Sequence, residues 1–196
     1  MARTVELERK TKETEIRLSL DIDGGPRSIA TGVPFFDHLL TAMSFHGAFS
    51  LELRASGDLG VDAHHLVEDV GLVLGSALQE TVSRHGAVAR FGHSVIPMDE
   101  ALAEVSIDVC GRPTAALELR FPQPMVGSFD VALLREFLVA LASRAGMSLH
   151  VTLRRGENSH HMAEAAFKAL GKAVAQAYRR VEGPTERMST KGAVTF

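Results

Sequence analysis

The sequence contains very little cysteine and few of the larger aromatic residues. Of its 196 residues, one is cysteine, one is tyrosine and none is tryptophan. A single thiol excludes a framework of internal disulfides and is typical of a protein in a reducing compartment. Cys110 stands in a strand-like run, so we expect a buried thiol that takes no part in chemistry.

Long apolar runs and an excess of one charge are also missing. No apolar run reaches the roughly 18 residues that a membrane-spanning helix needs. The first 17 residues are charged throughout and lack the apolar centre of a secretory signal, so we expect a cytoplasmic protein. The formal net charge is only -3, and no basic face with interleaved aromatic residues occurs. We therefore expect neither a membrane nor a nucleic acid as a partner.

Histidine, in contrast, is abundant. Four of the nine histidines form two HH pairs, in DAHHLVEDVG at residues 62–71 and in ENSHHMAEAA at residues 157–166. In both stretches a glutamate follows the second histidine by three residues, and a long helical pattern begins there. One HHxxE stretch alone is weak evidence of a metal site, whereas two copies in a chain of this length are much stronger evidence.

The order of the predicted secondary structure also occurs twice. In the first half we predict a strand, a short helix, a strand and a long helix, at residues 13–22, 32–47, 49–57 and 62–86. In the second half we predict two strands, a helix, a strand and a long helix, at residues 101–109, 114–121, 128–146, 147–156 and 158–180. The predicted caps of the two long helices are Asp62 and either Asn158 or Ser159.

The two halves can be placed in register. FSLEL at Phe49 corresponds to MSLHV at Met147, 98 residues later, whereas the HH pairs are 96 residues apart. The loop before the long helix is therefore two residues shorter in the second half, and an internal duplication explains the spacing. We predict a first repeat unit at residues 1–94 and a second at residues 95–196, which together form one compact domain.

The paired histidines are candidate metal ligands. Residues four apart on a helix share a face, so His64 points with Glu68, and His160 points with Glu164. The second histidine of each pair points elsewhere, because neighbouring residues diverge by about 100°. One metal therefore does not take both histidines of a pair. We predict two metals, with each long helix giving a His and a Glu to one site and its other histidine to the second.

A further ligand for each site follows from the register. If His38 in the first short helix is a ligand, the residue 98 positions later is Glu136. Other histidines, such as His46, which corresponds to Arg144, are weaker candidates. Imidazole and carboxylate ligands without thiolate argue against a structural zinc site and suit Mn, Fe, Co or a catalytic Zn. The predicted sites are His38, His65, His160 and Glu164 for one metal, and His64, Glu68, Glu136 and His161 for the other.

The end of the sequence is a candidate anion site. Gly183 and Pro184 end the preceding helical pattern, and MSTKG follows with two hydroxyls, a lysine and a glycine. This composition suits a phosphate, and a tail without fixed structure is the equal alternative. Arg90 and Arg112 lie at the ends of predicted elements, where each could clamp the same anion or be a solvated surface residue.

Taken together, these motifs resemble the imidazoleglycerol-phosphate dehydratase family. The stretches GVPFFDHLL, DAHHLVED, ARFG, MDEAL, CGRP, NSHHMAEAAFKA and STKG occur in the family's order and approximate spacing, across essentially the whole chain. The resemblance implies an α+β fold: an internally duplicated pair of mixed-sheet/helix units, ribosomal protein S5 domain 2-like, with the sheets backed by helices. It also implies two Mn²⁺ ions per active site, other divalent transition metals being possible. The implied assembly is a homo-oligomer, a 24-mer built from trimers, with sites shared between subunits.

The reaction that the resemblance implies is a dehydration in L-histidine biosynthesis. D-erythro-imidazoleglycerol phosphate, a phosphorylated imidazole, would lose water to give imidazole-acetol phosphate. Two metals, one on each ring nitrogen, would stabilise an imidazolate form of this small-molecule substrate, and hydroxide would then leave. This hydro-lyase chemistry explains why two metals with open positions are needed.

The resemblance also assigns roles to single residues. Glu13 is the candidate for proton transfer, because it is the carboxylate near the site that is not committed to metal, and metal-bound water or a ligand-side glutamate is the alternative. The implied catalytic residues are Glu13, His38, His65, Glu68 and Glu164. The expected substrate-binding residues, largely for the phosphate, are Glu13, His46, Arg90, Arg112, Lys168, Ser189, Thr190 and Lys191. Many relatives have histidine where Glu136 stands, so that site is more anionic here and its metal preference could differ.

Two other classes of protein are compatible with the same ligands. A binuclear metallohydrolase would hold its metals about 3.5–4 Å apart around a bridging hydroxide, whereas crossed sites leave room for a ring between them. A protein whose metals only join subunits would need neither Glu13 nor the STKG stretch. Metal separation and the effect of replacing Glu13 discriminate among the three.

Overall fold

The computed structural model of the chain describes residues 3–181. Three of the predicted phosphate-binding residues, Ser189, Thr190 and Lys191, lie outside the described residues. The single cysteine, Cys110, is buried directly after a strand, as expected. Within the described residues, no helix is both long and apolar enough to cross a membrane.

Helices and strands follow the same order in the two halves of the chain. The first half contains β1 (Thr4–Lys10), β2 (Thr14–Asp21), β3 (Arg27–Ala30), α1 (Pro34–Gly47), β4 (Ser50–Gly57) and α2 (His64–His85). The second half contains β5 (Phe91–Met98), β6 (Ala101–Val109), β7 (Thr114–Glu118), β8 (Met125–Val126), β9 (Phe129–Asp130), α3 (Leu133–Ala145), β10 (Met147–Arg155) and α4 (Ser159–Ala177). The α+β fold class is therefore confirmed.

The two main sheets have the same topology. Their strand orders are β1-β2-β4-β3 and β5-β6-β10-β7. In each sheet the edge strand β3 or β7 runs parallel to its neighbour, and the other pairs are antiparallel. Equal topology in two consecutive halves is the structural counterpart of the repeat seen in the sequence.

One predicted helix begins later than expected. The prediction over residues 128–146 is wrong at its start, because Phe129–Asp130 pairs with Met125–Val126 as a short hairpin and the helix begins at Leu133. Gly127 has a φ of 60° in the turn of this hairpin, a conformation that glycine adopts without steric cost. The Asp130 carboxylate then accepts the backbone N–H of Ala132 at 2.9 Å, which separates the hairpin from the helix.

The position of strand β5 helps to locate the boundary between the two repeat units. It spans Phe91–Met98 and pairs with β6 along its whole length, so it crosses the predicted division between residues 94 and 95. Its partner strand β6 belongs to the second sheet. We therefore propose that the second unit begins before Phe91.

The four helices lie between the two sheets. α1 and α2 pack on the first sheet, and α3 and α4 pack on the second. Within the helical layer α2 packs on α3 and α1 packs on α4, so each helix contacts a helix of the other unit. Phenylalanine rings join the units at the centre, where Phe137 contacts Phe36 edge to face and stacks on Phe167. This crossed packing decides which histidines approach each other.

Glycine allows the helices to approach closely at equivalent points of the two crossings. Gly75 and Gly171 are 96 residues apart, like the HH pairs. A Cβ at Gly171 would lie 2.0 Å from the carbonyl oxygen of Met43, and one at Gly75 would lie 2.6 Å from that of Leu141. Met43 and Leu141 are themselves 98 residues apart, so both crossings use the same pair of repeat positions.

Replacing Gly171 by alanine is expected to destabilise the protein by about 3 kcal/mol or more, because the new methyl group meets backbone that cannot rotate away. In an open helix the same change stabilises by roughly 1 kcal/mol, so the sign of the effect is diagnostic. Urea unfolding of the metal-free protein measures it. Ser83→Ala, on the exposed side of α2, is the control and should change stability by less than about 0.5 kcal/mol. An unaltered midpoint for Gly171→Ala would contradict the close crossing.

Candidate metal centre

Three predicted ligands from two helices form one cluster. His38 comes from α1, and His160 and Glu164 come from the first turns of α4. Nε2 of His38 lies 3.0 Å from Oε2 of Glu164, and Nε2 of His160 lies 3.3 Å from the same oxygen. One ligand atom from each residue lies within 4.8 Å of the others, a spacing at which three groups can share an ion. These are three of the four residues predicted for the first metal.

An aromatic ring forms one wall of this cluster. The ring of Phe35, in the first turn of α1, lies 5.0 Å from that of His160 and 6.2 Å from that of His38, between centroids. Such apolar contacts limit the rotation of both imidazoles and keep water from one side of the cluster. Phe35 thereby helps to hold the imidazoles of the cluster in place.

Glu164 is a buried, ionised carboxylate. Burial alone would raise its pKa, but hydrogen bonds from Lys168 and His38 outweigh this and lower the pKa to about 2. Nζ of Lys168 lies 2.8 Å from Oε1, on the opposite side of the carboxylate from the histidines. Glu164 therefore carries its negative charge at neutral pH, and one oxygen faces two imidazole nitrogens. An ionised carboxylate with two imidazoles is a donor set that fits a divalent transition metal.

The two long helices start in the same way. The side-chain Oδ1 of Asn158 accepts the backbone N–H of His160 at 2.9 Å, and Oδ1 of Asp62 accepts that of His64 at 2.7 Å. Asp62 and Asn158 are 96 residues apart, so these two residues are also repeat equivalents. Asn158 is confirmed as the N-cap of α4, whereas the N-cap position of α2 is Ala63 and the predicted cap Asp62 lies one residue before it. Each side chain still bonds the backbone N–H of the first histidine of its pair.

The second predicted site is less compact within one chain. Nε2 of His64 lies 4.0 Å from Oε2 of Glu68, one turn along α2, and both side chains are partly exposed. Glu136 lies in the first turn of α3, which packs on α2 as α1 packs on α4. By repeat symmetry Glu136 occupies the place of His38. Among residues 3–181, however, only the first cluster brings three ligand atoms together.

The second histidine of each pair lies in separate surroundings. Nδ1 of His65 is 3.0 Å from Oδ2 of Asp58 and 3.9 Å from the carboxylate of Glu13. Nδ1 of His161 is 2.8 Å from Oε2 of Glu100. Hydrogen bonds to these carboxylates raise the pKa of both histidines. Within one chain, the structure therefore does not place His65 with the first cluster or His161 with the second.

The acidic residues that contact His65 and His161 were not predicted from the sequence. Asp58 begins the loop after β4, and Asp99 and Glu100 form the turn between β5 and β6. The pKa of Glu100 is lowered to about 2, first by its hydrogen bond with His161 and then by the backbone N–H groups that it accepts. The stretch MDEAL contains both Asp99 and Glu100, so a signal existed. Glu100 and His161 are 61 residues apart in the sequence, so only the tertiary fold shows that they are in contact.

The predicted substrate-binding residues fall into two places. Lys168 contacts Glu164, and His46, in the last turn of α1, has its pKa lowered by burial and by the charges of Lys168 and Lys172. Arg90 and Arg112 instead lie at the start of β5 and just after β6. The Arg90 guanidinium bonds both carboxylate oxygens of Asp108, at 2.6 and 3.1 Å, which raises its pKa.

The two arginines are far from His161 of their own chain. Glu100, which contacts His161, precedes β6, whereas Arg90 and Arg112 lie at the other end of that strand. β6 has nine residues, a length of about 30 Å. Arg90 and Arg112 therefore cannot contact a small molecule bound at His161 of the same chain.

Comparisons with known proteins all point to one family. A family model described as imidazoleglycerol-phosphate dehydratase matches residues 31–174. The chain is 46% identical over 196 residues to the imidazoleglycerol-phosphate dehydratase of Geobacter sulfurreducens, covering 98% of this chain and 99% of the relative. It is 49% identical over 178 residues to that of Acidiphilium cryptum, covering 90% and 91%.

Solved structures of the same name have the same fold. The crystal structure of imidazoleglycerol-phosphate dehydratase from Staphylococcus aureus superposes with a TM-score of 0.83 at 36% identity, covering 91% of this chain and 99% of the other. The structure from Pyrococcus furiosus, in complex with (S)-C348, gives a TM-score of 0.82 at 38% identity, covering 95% and 99%. The glutamate at position 136, where many relatives have histidine, therefore occurs within the same fold.

Proposed function

The chain belongs to the imidazoleglycerol-phosphate dehydratase family and is a dehydratase of histidine biosynthesis, and we propose that it works with two Mn²⁺ ions. The specific reaction proposed is the loss of water from D-erythro-imidazoleglycerol phosphate to give imidazole-acetol phosphate. The observation that carries the metal requirement is the cluster of His38, His160 and Glu164, with its ionised carboxylate. The proposed localisation is the cytoplasm.

Two sets of residues would hold the ions. His38, His160 and Glu164 would bind the first ion with His65, and His64, Glu68, Glu136 and His161 would bind the second. When bound, the ions would act as Lewis acids on the two nitrogens of the substrate's imidazole ring. Glu136 adds a carboxylate to the second set, and carboxylate oxygen suits Mn²⁺.

The sites would be shared between subunits of a homo-oligomer. His65 lies apart from the cluster that it should complete, and two arginines lie about 30 Å from His161 of their own chain. A neighbouring chain can supply both. The loop before α2 exposes Leu59 by 40% and Val61 by 73%, beside His65, as an intersubunit contact would require. The assembly proposed is a 24-mer built from trimers.

Glu13 is proposed to transfer the proton. Its carboxylate is 56% exposed and lies 3.9 Å from Nδ1 of His65, too far for a hydrogen bond. An exposed carboxylate beside a candidate ligand, without a close partner there, is free to reach a substrate bound at the metals. Glu13, His38, His65, Glu68 and Glu164 are therefore the proposed catalytic residues.

Basic groups are proposed to hold the phosphate and so fix the side chain of the substrate relative to its ring. His46 and Lys168 lie on the α1–α4 side, next to the first cluster. Arg90 and Arg112 would come from a neighbouring chain. The other residues proposed to bind the substrate are Glu13, Ser189, Thr190 and Lys191.

Metal removal tests the proposed function. Protein dialysed against a chelator is expected to lose turnover of imidazoleglycerol phosphate, and added Mn²⁺ is expected to restore it. Formation of imidazole-acetol phosphate is the measurement, and bound manganese is counted in the same samples. Full turnover by metal-free protein, or none by the Mn²⁺-loaded protein, would contradict the proposal.

A further inference from the structure

The register of the two sheets identifies which residues of β2 and β6 are equivalent. Ser19 of β2 pairs with Glu52 of β4, and Ser106 of β6 pairs with His150 of β10. Glu52 and His150 are 98 residues apart and therefore equivalent in the repeat. It follows that Ser19 and Ser106 are equivalent too, with a spacing of 87 residues.

The same spacing makes Glu13 and Glu100 equivalent. They are 87 residues apart, and each stands immediately before the second strand of its sheet. Each also lies next to the second histidine of an HH pair, Glu13 beside His65 and Glu100 beside His161. The chain therefore carries one carboxylate twice, at the same place in both units.

Glu100 is fully occupied by contacts within the chain. Its Oε1 accepts the backbone N–H groups of Glu157 and Asn158, at 3.1 and 2.9 Å, and its Oε2 lies 2.8 Å from Nδ1 of His161. An ionised carboxylate can only accept hydrogen bonds, so Nδ1 of His161 must carry a proton. In the neutral ring, Nε2 of His161 is then the nitrogen with a free lone pair.

In the first unit a different residue contacts the histidine. Asp58 lies 3.0 Å from Nδ1 of His65, whereas the Glu13 carboxylate is 3.9 Å away. The register shift between Leu153 and Arg155 adds one residue to β10, so the repeat equivalent of Asp58 is Glu157, 99 residues later. Both positions bond the equivalent glutamate through their backbone N–H, Asp58 to Glu13 and Glu157 to Glu100. The side chain of Asp58 in addition makes the histidine contact that Glu100 makes in the second unit.

We propose that Glu100 and Asp58 are positioning residues, which hold His161 and His65 with Nε2 turned to the metal, and that Asp58 thereby releases Glu13 for proton transfer. A carboxylate on the far nitrogen of a metal-bound histidine fixes the ring and its tautomer. The duplication supplied two equivalent glutamates, and the contact of Asp58 with His65 lets them differ in role. This inference rests on the proposed function for the bound metals.

Mn²⁺ binding to the metal-stripped full-length protein is the test, measured by titration calorimetry without substrate. Glu100→Gln and Asp58→Asn are each expected to lower the affinity of the protein for one of the two Mn²⁺ ions by about 10–100-fold. The new amide N–H₂ faces Nδ1 and favours the tautomer with its proton on Nε2, which cannot bind metal. Glu13→Gln should leave both affinities unchanged. Glu118→Gln, an exposed carboxylate at the end of β7, is the matched control.

A double-mutant cycle separates positioning from loss of structure. If Glu100 acts through His161, Glu100→Gln should have no further effect on Mn²⁺ affinity in a His161→Ala background. An additional loss of similar size there would overturn the positioning role, as would native affinity for both ions in the two amide variants. Weaker Mn²⁺ binding in Glu13→Gln would overturn the division of roles. If the amide variants behave as expected while the wild-type protein forms no product, the proposed function fails and the positioning role stands.

Discussion

Glu13→Gln is expected to lower kcat by about 10²–10⁴-fold while the protein keeps its manganese. Glutamine has the same shape as glutamate but cannot take a proton at neutral pH, so only the transfer step is removed. The Glu13 carboxylate, 56% exposed, makes no close contact with His65, so its loss should not move the ligands. Steady-state kinetics together with bound manganese measures the effect.

The control for this prediction is two residues further along the chain. Glu15 is partly exposed on β2, where it pairs with Lys10 and not with a histidine. Glu15→Gln should therefore leave kcat within a factor of about two, because a surface ion pair contributes little. Near-normal turnover in Glu13→Gln would exclude it as the proton-transfer group. Loss of manganese in Glu13→Gln would instead give it a role in holding the metal.

Much of the fold could be predicted because its signals are local or repeated. Eight of the nine predicted helices and strands are present with ends within three residues, among them α2 at His64–His85 and α4 at Ser159–Ala177. Their helical periods extend over five turns or more, and a polar side chain just before each helix, Asp62 or Asn158, bonds a backbone N–H of the first turn. The repeat spacing, read from the HH pairs, also relates the two glycines at the helix crossings, Gly75 and Gly171.

Among the strands that escaped prediction, β1 carries alternating charges and β3 is short, whereas β5 lies across the predicted division between the two units. β1 reads TVELERK, with charged residues outside and only Val5 fully buried, so its composition resembles a solvated segment. β3 has four residues, too few for a period to be recognised. Both are edge strands, which are fixed by pairing with β2 and β4 rather than by their own sequence.

The sequence predicts the parts of the candidate site that follow from a helical turn or from the repeat, but not the contacts between distant segments or between chains. The spacing of His160 and Glu164 follows from one helical turn, and the predicted grouping of His38 with these two residues is present in the structure. The contacts of Asp58 with His65 and of Glu100 with His161 depend on how loops fold over helix starts. No local period encodes such contacts, so they required the structure.

Glu164→Gln is expected to lower the affinity for the first Mn²⁺ ion by about 100-fold or more and to remove most of the turnover. The expected effect is large because loss of a direct ligand costs more affinity than loss of a residue that supports a ligand. Glu164 offers an ionised oxygen to His38 and His160, held by Lys168 on its other side. A neutral amide at this position keeps the shape but gives up the charge that binds the cation. Bound manganese per chain after equilibrium dialysis measures the effect.

The repeat makes this prediction sharper than a single substitution could. Glu68 is 96 residues before Glu164 and stands in the same relation to His64 as Glu164 does to His160. Glu68→Gln should therefore remove the other ion, so that each single variant keeps one ion per chain and the double variant keeps none. Separate sites built from two crossed sets of ligands require this additive result. Loss of both ions on replacing Glu164 alone would mean that the two metals share ligands, as in a bridged binuclear centre, and would contradict sites spaced to hold a ring between them.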